Sequence, residues 1–352
     1  MEALHRRYAV ALLVAVLAPV FAWFVIAITI DPYDVFGISH FNRRNFEPNT
    51  RYLKSEYLRQ HPKFDGYIFG SSRSNGYNVE TARRLAGGTF YNFGVSAETM
   101  AGIESRLAFV FARGRPRILI VALDYDYEFR DARTYDDLLR TEPPAVTGRS
   151  RAEFYGKYLG FSLKSVRRAI RANLQEPDTY YSFDVTTGQI SNPALDRDLA
   201  AAAPERARLF VPQPGVATVV GADSPAYDSL RRVVAAVTSH GSRLICLVNP
   251  LNHYQLASFQ RENYLDWLRR TTSICGELWD FSRPGPVTAN DANYYDTSHF
   301  VRRIGDQVLE RVFAAPGAEE HFGARLTPAT TDAYIRAYPP FGAEPARAKT
   351  AS

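Results

Sequence analysis

The chain has 352 residues, of which 46% are hydrophobic, and its 42 basic and 37 acidic residues give a net charge of +5. This composition supports one large hydrophobic core, and so small a positive excess does not indicate nucleic acid as a partner. The two cysteines, Cys246 and Cys275, lack the spacing of a zinc site. Cys246 lies in an apolar strand pattern, which favours a buried free thiol, although a disulfide between the two remains open.

The N-terminal region contains one long apolar segment. Residues 8–30, YAVALLVAVLAPVFAWFVIAITI, carry no charge and are long enough to cross a hydrocarbon core of about 30 Å. Basic residues precede the segment and Asp31 follows it, so the positive-inside rule predicts a cytoplasmic N-terminus. A cleaved signal peptide would need a shorter apolar core and a small-residue cleavage site. An uncleaved membrane anchor over residues 1–30 is therefore favoured.

The composition also suggests where the rest of the chain lies. It is rich in alanine and arginine, which is typical of bacterial proteins, so we expect a single-pass protein of the bacterial inner membrane with its main body in the periplasm. Residues 31–63 form a lead-out segment, in which a short helix is expected at 51–60. The main body is expected over 64–314.

Five apolar segments of the main body have the pattern of buried strands, and helical patterns alternate with them. The continuous apolar runs are typical of parallel strands covered on both faces, so the pattern predicts an α/β fold with about five parallel strands. The strand segments are FDGYIFG (64–70), TFYNFG (89–94), RILIVALD (117–124), RLICLVNP (243–250) and GELWDFS (276–282).

Two regions depart from this alternation. Residues 125–222 form a large insertion between the third and fourth strands, with a basic helix expected over 152–173. Its basic residues favour a solvated helix face, with anionic polymer or lipid headgroups as the alternative contact; they are Lys157, Lys164, Arg167, Arg168 and Arg171. The tail over 315–352 is rich in Pro, Ala and Thr, and we expect it to wrap the surface or to be disordered.

Ligands of open α/β sheets bind at the carboxyl ends of the strands, and a serine cluster follows the first strand. Gly70 allows a sharp turn there, and Ser72 stands where a helix would start. Unpaired N–H groups at a helix start stabilise an oxyanion, so the position suits a nucleophilic serine. The alternative is that a neighbouring serine, Ser71 or Ser74, simply caps the helix.

Two further strand ends carry groups that are able to donate hydrogen bonds. Gly94 follows the second strand, where its lack of a side chain would let its backbone N–H approach a ligand. Asn249 ends the fourth strand and carries a side-chain amide. Each residue has an ordinary alternative, since Gly94 would suit a tight turn and Asn-Pro commonly opens one.

An Asp-x-x-His pair follows the fifth strand. Asp296 and His299 are three residues apart, a spacing at which the carboxylate reaches Nδ1 of the imidazole and leaves Nε2 free to act as a general base. The alternative is that Asp296 caps the last helix. In a doubly wound sheet the strand ends converge on one edge, so a nucleophile, N–H donors and an oriented base are expected to meet there.

At these positions the sequence resembles the SGNH, or GDSL-type, hydrolase superfamily. Gly70-Ser71-Ser72 looks like the Gly-Asp-Ser block, with Ser72 in the nucleophile position. Asp296-x-x-His299 looks like the last block of the family and is the most specific match. The resemblance covers roughly residues 64–124 and 225–314. It implies a flavodoxin-like, three-layer α/β/α sandwich and a Ser72–His299–Asp296 triad.

The resemblance also implies an oxyanion hole, formed by the N–H groups of Ser72 and Gly94 and by the side-chain amide of Asn249. The chain departs from the family pattern at three sites. Ser71 replaces the usual aspartate, Leu247 replaces the usual glycine two residues before Asn249, and Pro250 replaces the usual aspartate after it. Similar departures occur in a membrane-anchored branch whose members modify cell-envelope polymers.

The resemblance implies an O-acyltransferase that acts on a cell-envelope or exported polysaccharide through an acyl-serine, with a membrane acyl-donor protein as a candidate partner. Water in place of a sugar acceptor would make the same site an esterase. A non-catalytic scaffold that binds polysaccharide is the alternative of another class. None of these functions needs a metal or a cofactor, and none is expected.

Overall fold

The computed structural model describes residues 2–37, 49–61, 63–126, 128–129, 138, 140–160, 162–174, 182–200, 208–211, 219–314 and 322–341. Parts of the predicted lead-out segment, insertion and C-terminal tail therefore lie outside the described residues. The helices are α1 (Glu2–Ile30), α2 (Thr50–Gln60), α3 (Val79–Ala86), α4 (Met100–Phe111), α5 (Pro144–Thr147), α6 (Arg151–Tyr158), α7 (Leu163–Leu174), α8 (Pro193–Ala200), α9 (Pro225–Ser239), α10 (His253–Ala257), α11 (Arg261–Cys275), α12 (Arg302–Phe313) and α13 (Pro328–Arg336). Within the described residues, 3₁₀ turns include Ser72–Gly76 and Asp291–Asn293.

The central sheet has six strands in the order β2-β1-β3-β6-β7-β8. The strands in the described part of the chain are β1 (Gly66–Phe69), β2 (Phe90–Asn92), β3 (Ile118–Leu123), β4 (Ser182–Asp184), β5 (Gln189–Ser191), β6 (Arg243–Val248), β7 (Leu278–Asp280) and β8 (Ala324–Leu326). The five strands predicted from apolar runs are β1, β2, β3, β6 and β7, and they are parallel. The α/β fold with a mostly parallel sheet is therefore confirmed.

Helices cover both faces of the sheet because each central strand is apolar on both sides. In β3, Leu119 and Val121 point into a core that includes side chains of α4, α9 and α11. Ile118 and Ile120 point into a second core with side chains of α3 and α12. Both cysteines, Cys246 and Cys275, are free thiols.

Helix α1 is long and apolar enough to cross a membrane, and most of its surface is exposed. Among the described residues, its last turns are the part that contacts the main body. Trp23 and Ala27 are buried there, and Trp23 Nε1 donates a hydrogen bond of 3.1 Å to the carbonyl of Leu159. The carboxylate of Asp31 then accepts N–H groups from the turn that follows, which fixes the exit of the chain from the helix.

The insertion between β3 and β6 contains short helices and a β4–β5 hairpin. The hairpin packs beside the end of β2, where the N–H of Asn92 donates to the carbonyl of Thr187 at 2.9 Å. The prediction of a single basic helix over 152–173 is wrong, because two helices, α6 and α7, occupy that region. The break falls where Ser162 Oγ accepts the N–H of Ser165 at 3.3 Å and so starts a new helix.

Residues 322–341 of the tail are part of the core, contrary to the expectation from the composition of the tail. β8 pairs antiparallel with β7 and is the sixth strand of the sheet. α13 packs on α11, and the tail buries the side chains of Leu326, Ile335 and Tyr338. Its strand was missed because it is only three residues long and contains one large apolar side chain.

Candidate active site

The segment after β1 presents Ser72 at the edge of the sheet. Gly70 has a φ of +152°, and a Cβ at that position would lie 2.8 Å from the carbonyl oxygen of Ala122, so the sharp turn requires glycine. Ser71 caps the 3₁₀ turn by accepting the N–H of Arg73. Ser72, the first residue of the turn, is half-buried and lines a cavity of about 280 Å³.

The structure brings Ser72, His299 and Asp296 together across 227 residues of sequence. Ser72 Oγ lies 2.9 Å from His299 Nε2. His299 Nδ1 lies 3.0 and 2.9 Å from the two carboxylate oxygens of Asp296. Because a carboxylate faces Nδ1, the proton of the neutral imidazole belongs on Nδ1, and Nε2 is left to accept the hydroxyl proton of Ser72.

The backbone holds the Asp296 carboxylate in this orientation. Its Oδ1 accepts the N–H groups of Ser298 at 2.7 Å and of His299 at 2.8 Å. Burial raises the pKa of Asp296, but its hydrogen bond to His299 and the backbone N–H bonds outweigh burial and leave the pKa below its usual value. The carboxylate of Asp296 is therefore ionised, and its negative charge faces the imidazole of His299.

Arg73 links the serine turn to the loop that carries His299. Its Nε donates to the carbonyl of Ser298 at 3.0 Å, and its guanidinium forms a bidentate pair with Asp126 at 2.7 and 2.9 Å. Asp124 lies 2.8 Å away on the same side. Burial lowers the pKa of Arg73, but the two carboxylates outweigh it and raise the pKa above its usual value, so the side chain is charged.

Sequence reasoning missed this linking role. The sequence analysis identified neither Arg73 nor the acidic residues that follow β3 as part of the site. The available signal was an arginine directly after the candidate nucleophile, together with an Asp-x-Asp pair at the end of the neighbouring strand. Opposite charges at adjacent strand ends of a parallel sheet are expected to pair.

The side-chain amide of Asn249 is bonded to groups other than Ser72, so the structure does not place it as an oxyanion donor. Its Nδ2 donates to Asp124 at 2.9 Å, and its Oδ1 accepts the hydroxyl of Tyr77 at 2.6 Å. The residue has no exposed surface. Asp124 is the physical reason, because a buried carboxylate between β3 and β6 attracts the nearest amide donor.

Gly94 also serves a role other than the predicted one in this arrangement. Its N–H donates to Asn92 Oδ1 at 3.0 Å, and its carbonyl accepts from Lys54 Nζ at 2.6 Å. A Cβ at Gly94 would lie 1.7 Å from Ser74 Oγ, within the serine turn. Glycine is therefore needed here for close packing against Ser74, which is neither the predicted approach to a ligand nor the tight turn that the sequence left open as the alternative.

Other donors line the cavity beside Ser72. The backbone N–H groups of Ser72 and Ser96 have no acceptor among the described residues, and both residues line the cavity. Asn75 lines it too, and its amide Nδ2 has no partner in the described part of the chain. These three donors border the same cavity as the Ser72 hydroxyl.

The insertion forms one wall of the cavity. Phe183 and Ile190 of the hairpin and Leu195 of α8 line it together with residues of the serine turn. Gln189 Nε2 donates to the carbonyl of Asn75 at 2.7 Å, and the hydroxyl of Tyr295 donates to Asp196. The wall is thus attached by hydrogen bonds to both segments that carry the triad residues.

These residues together provide the parts of a nucleophilic serine site: a hydroxyl against an imidazole, a carboxylate behind it, N–H donors and a partly apolar wall. No family model matches the chain, and no curated protein matches its sequence. The suggested membership of the SGNH superfamily stays a prediction, and function has to be inferred from the geometry.

Proposed function

We propose that the protein is an SGNH-type serine O-acyltransferase, held by α1 in the bacterial inner membrane, that acts on a cell-envelope or exported polysaccharide in the periplasm. The observation that carries the proposal is the contact of 2.9 Å between Ser72 Oγ and His299 Nε2, with Asp296 on the opposite nitrogen of the ring. This arrangement is what an acyl-serine mechanism requires.

In the first step Ser72 Oγ attacks the carbonyl carbon of the donor ester while its proton passes to His299 Nε2. Asp296 stabilises the imidazolium that forms. The tetrahedral intermediate then collapses, its C–O bond to the donor breaks, and the leaving alcohol takes the proton from Nε2. The acyl group remains esterified to Ser72.

In the second step a sugar hydroxyl gives its proton to His299 Nε2, and its oxygen attacks the acyl-serine. Collapse of the second tetrahedral intermediate returns the proton to Ser72 Oγ and releases the acylated sugar. In both steps the carbonyl oxygen becomes negative, and the donors that support it are the N–H groups of Ser72 and Ser96 and the amide of Asn75.

The insertion wall supports transfer as the preferred direction. Transfer requires that the sugar hydroxyl reach the acyl-serine ahead of water, and side chains such as Phe183, Ile190 and Leu195 occupy space that water would fill. The anchor supports an envelope substrate, since α1 confines the site to a thin layer above the bilayer. A membrane acyl-donor protein is the partner expected to supply the ester.

A fluorophosphonate probe tests the serine directly. The purified full-length protein in detergent should be labelled at Ser72, and Ser72→Ala should abolish the labelling. Ser96→Ala is the matched control: it removes a hydroxyl that lines the same cavity but keeps the backbone N–H, so labelling should persist.

Turnover assays then separate the alternatives. A nitrophenyl acetate assay should show activity that depends on Ser72, and an added sugar acceptor should yield acetylated sugar in preference to free acetate. Release of acetate alone would make the protein an esterase. A folded wild-type chain that neither reacts with the probe nor cleaves the ester would leave a polysaccharide-binding scaffold and overturn the proposal.

A further inference from the structure

Part of the main body of the protein lies beside the last turns of the membrane anchor α1. Trp23 lies seven residues before the end of α1, which is about 10 Å along the helix axis, and its indole donates to the carbonyl of Leu159. Leu159 belongs to the short connection between α6 and α7. This connection therefore lies level with the apolar part of the anchor.

Helix α7 begins at the same level. Its first residue, Leu163, follows Leu159 by four positions. The hydroxyls of Tyr33 and Ser165 lie 2.8 Å apart, which ties the first turn of α7 to the segment that leaves α1. Helices α1 and α7 are also in direct contact.

The faces of α7 differ in character. Val166 and Ala169 are buried against the protein, whereas Lys164, Arg167 and Arg171 are exposed. The helix contains no acidic residue. A basic face of this kind, without acidic partners on the same helix, is typical of helices that lie on anionic membrane surfaces.

Exposed leucines occur at both ends of the same helix. The side chain of Leu163 is 66% exposed and that of Leu174 is 82% exposed. A helix that only faces water gains nothing from leucines at these positions. Beside a bilayer they would enter the boundary between headgroups and acyl chains, while the basic side chains reach the phosphates.

We propose that α7 lies on the outer surface of the membrane that α1 crosses and binds the anionic headgroups of its lipids. The inference rests on the proposed anchoring by α1 but not on the chemistry at Ser72. Contact at α7 as well as at α1 holds the main body at a fixed tilt, and so gives the cavity beside Ser72 a fixed direction relative to the bilayer.

Amide hydrogen exchange of the full-length protein in lipid nanodiscs tests the proposal. Exchange across α7 should be about tenfold slower in discs with equal parts of phosphatidylglycerol and phosphatidylcholine than in discs of phosphatidylcholine alone. High salt should remove the difference, because it screens headgroup charges. The triple variant Lys164→Gln, Arg167→Gln, Arg171→Gln should show no dependence on the anionic lipid.

The matched control is Arg83→Gln, Arg84→Gln, Arg231→Gln, which removes three exposed charges from α3 and α9, helices that pack on the sheet. This control should keep the lipid dependence. Equal exchange of α7 in both kinds of disc would overturn the proposal, and so would protection by a soluble polyanion such as polygalacturonate but not by phosphatidylglycerol. Fluorophosphonate labelling of the same samples reports on Ser72 separately, so the two proposals fail independently.

Discussion

Arg73 shows how one buried side chain determines the geometry of the triad. The serine turn and the histidine loop come from distant parts of the chain, and the Arg73 guanidinium contacts both the Ser298 carbonyl and Asp126. The planar guanidinium fits a carboxylate with two parallel bonds, and the ammonium of a lysine does not. Arg73 is therefore a positioning residue: it acts on the reaction through the place it gives His299.

Replacement of Arg73 should show whether the residue acts by positioning His299 or by binding the substrate. We expect Arg73→Lys to lower kcat for nitrophenyl acetate about ten- to a hundredfold with little change in KM, because a small displacement of His299 is costly for proton transfer. Arg106→Lys is the matched control, since Arg106 is also buried and paired with carboxylates, those of Glu98 and Glu142. Equal loss of kcat in both variants would indicate a structural role only.

Lys54 is a buried amine behind the site that the proposed mechanism does not use. Its Nζ donates to the Gly94 carbonyl, and burial together with the charge of Arg106 lowers its pKa from 10.5 to about 7. Between these two values the unfolded chain binds a proton at Lys54 that the folded chain does not. The free energy of unfolding therefore increases as pH rises through this window, and it decreases again as pH is lowered toward about 7.

Removal of this amine should flatten the pH dependence of stability. From pH 7 to pH 9 the wild type should gain about 2 kcal/mol from Lys54, at about 1.4 kcal/mol per pH unit, and Lys54→Met should lack this gain. Urea unfolding of the detergent-solubilised protein at both pH values gives the comparison. Lys63→Met, at an exposed position, should keep the wild-type slope, and a wild-type slope in Lys54→Met would contradict the assignment.

At the scale of elements, strands formed by long apolar runs could be predicted from the sequence, and strands of three residues in the insertion could not. Strands such as β3 are buried on both faces, so their sequence is continuously apolar and identifies them without tertiary information. β4 and β5 are three residues each, and only their contacts with neighbouring segments stabilise them. The insertion was recognised from the sequence, but the two short strands that form part of the cavity wall had no signal in it.

The residues of the candidate site likewise divide into those whose position the sequence could predict and those whose contacts it could not. Ser72 and His299 follow predicted strands, and the convergence of parallel strand ends was enough to place them together. Asn249 also ends a strand, yet its amide turns to Asp124, which the sequence had not identified as a competing acceptor. Direction is decided by local partners, so position at a strand end predicts which residues are near and not which way they point.

At the scale of the whole molecule, the C-terminal tail closes the sheet. β8 covers the edge of β7, and the hydroxyl of Tyr334 donates to Asp280 at 2.9 Å. The hydroxyls of Tyr338 and Ser282 lie 3.0 Å apart. Asp280 and Ser282 begin the segment that leads to Asp296, so the tail supports the base of the histidine loop.

Truncation after Ala314 should therefore destabilise the entire main body. Removal of the tail exposes the partners of three large buried side chains, each worth about 1.5–3 kcal/mol, and leaves the β7 edge unpaired. We expect a loss of about 5 kcal/mol and a fall in Tm of about 10 °C or more, measured by circular dichroism of the detergent-solubilised protein. Truncation after Phe341 keeps β8 and α13 and should leave Tm unchanged. If both truncations unfold at the wild-type temperature, the tail does not belong to the cooperative unit that positions His299.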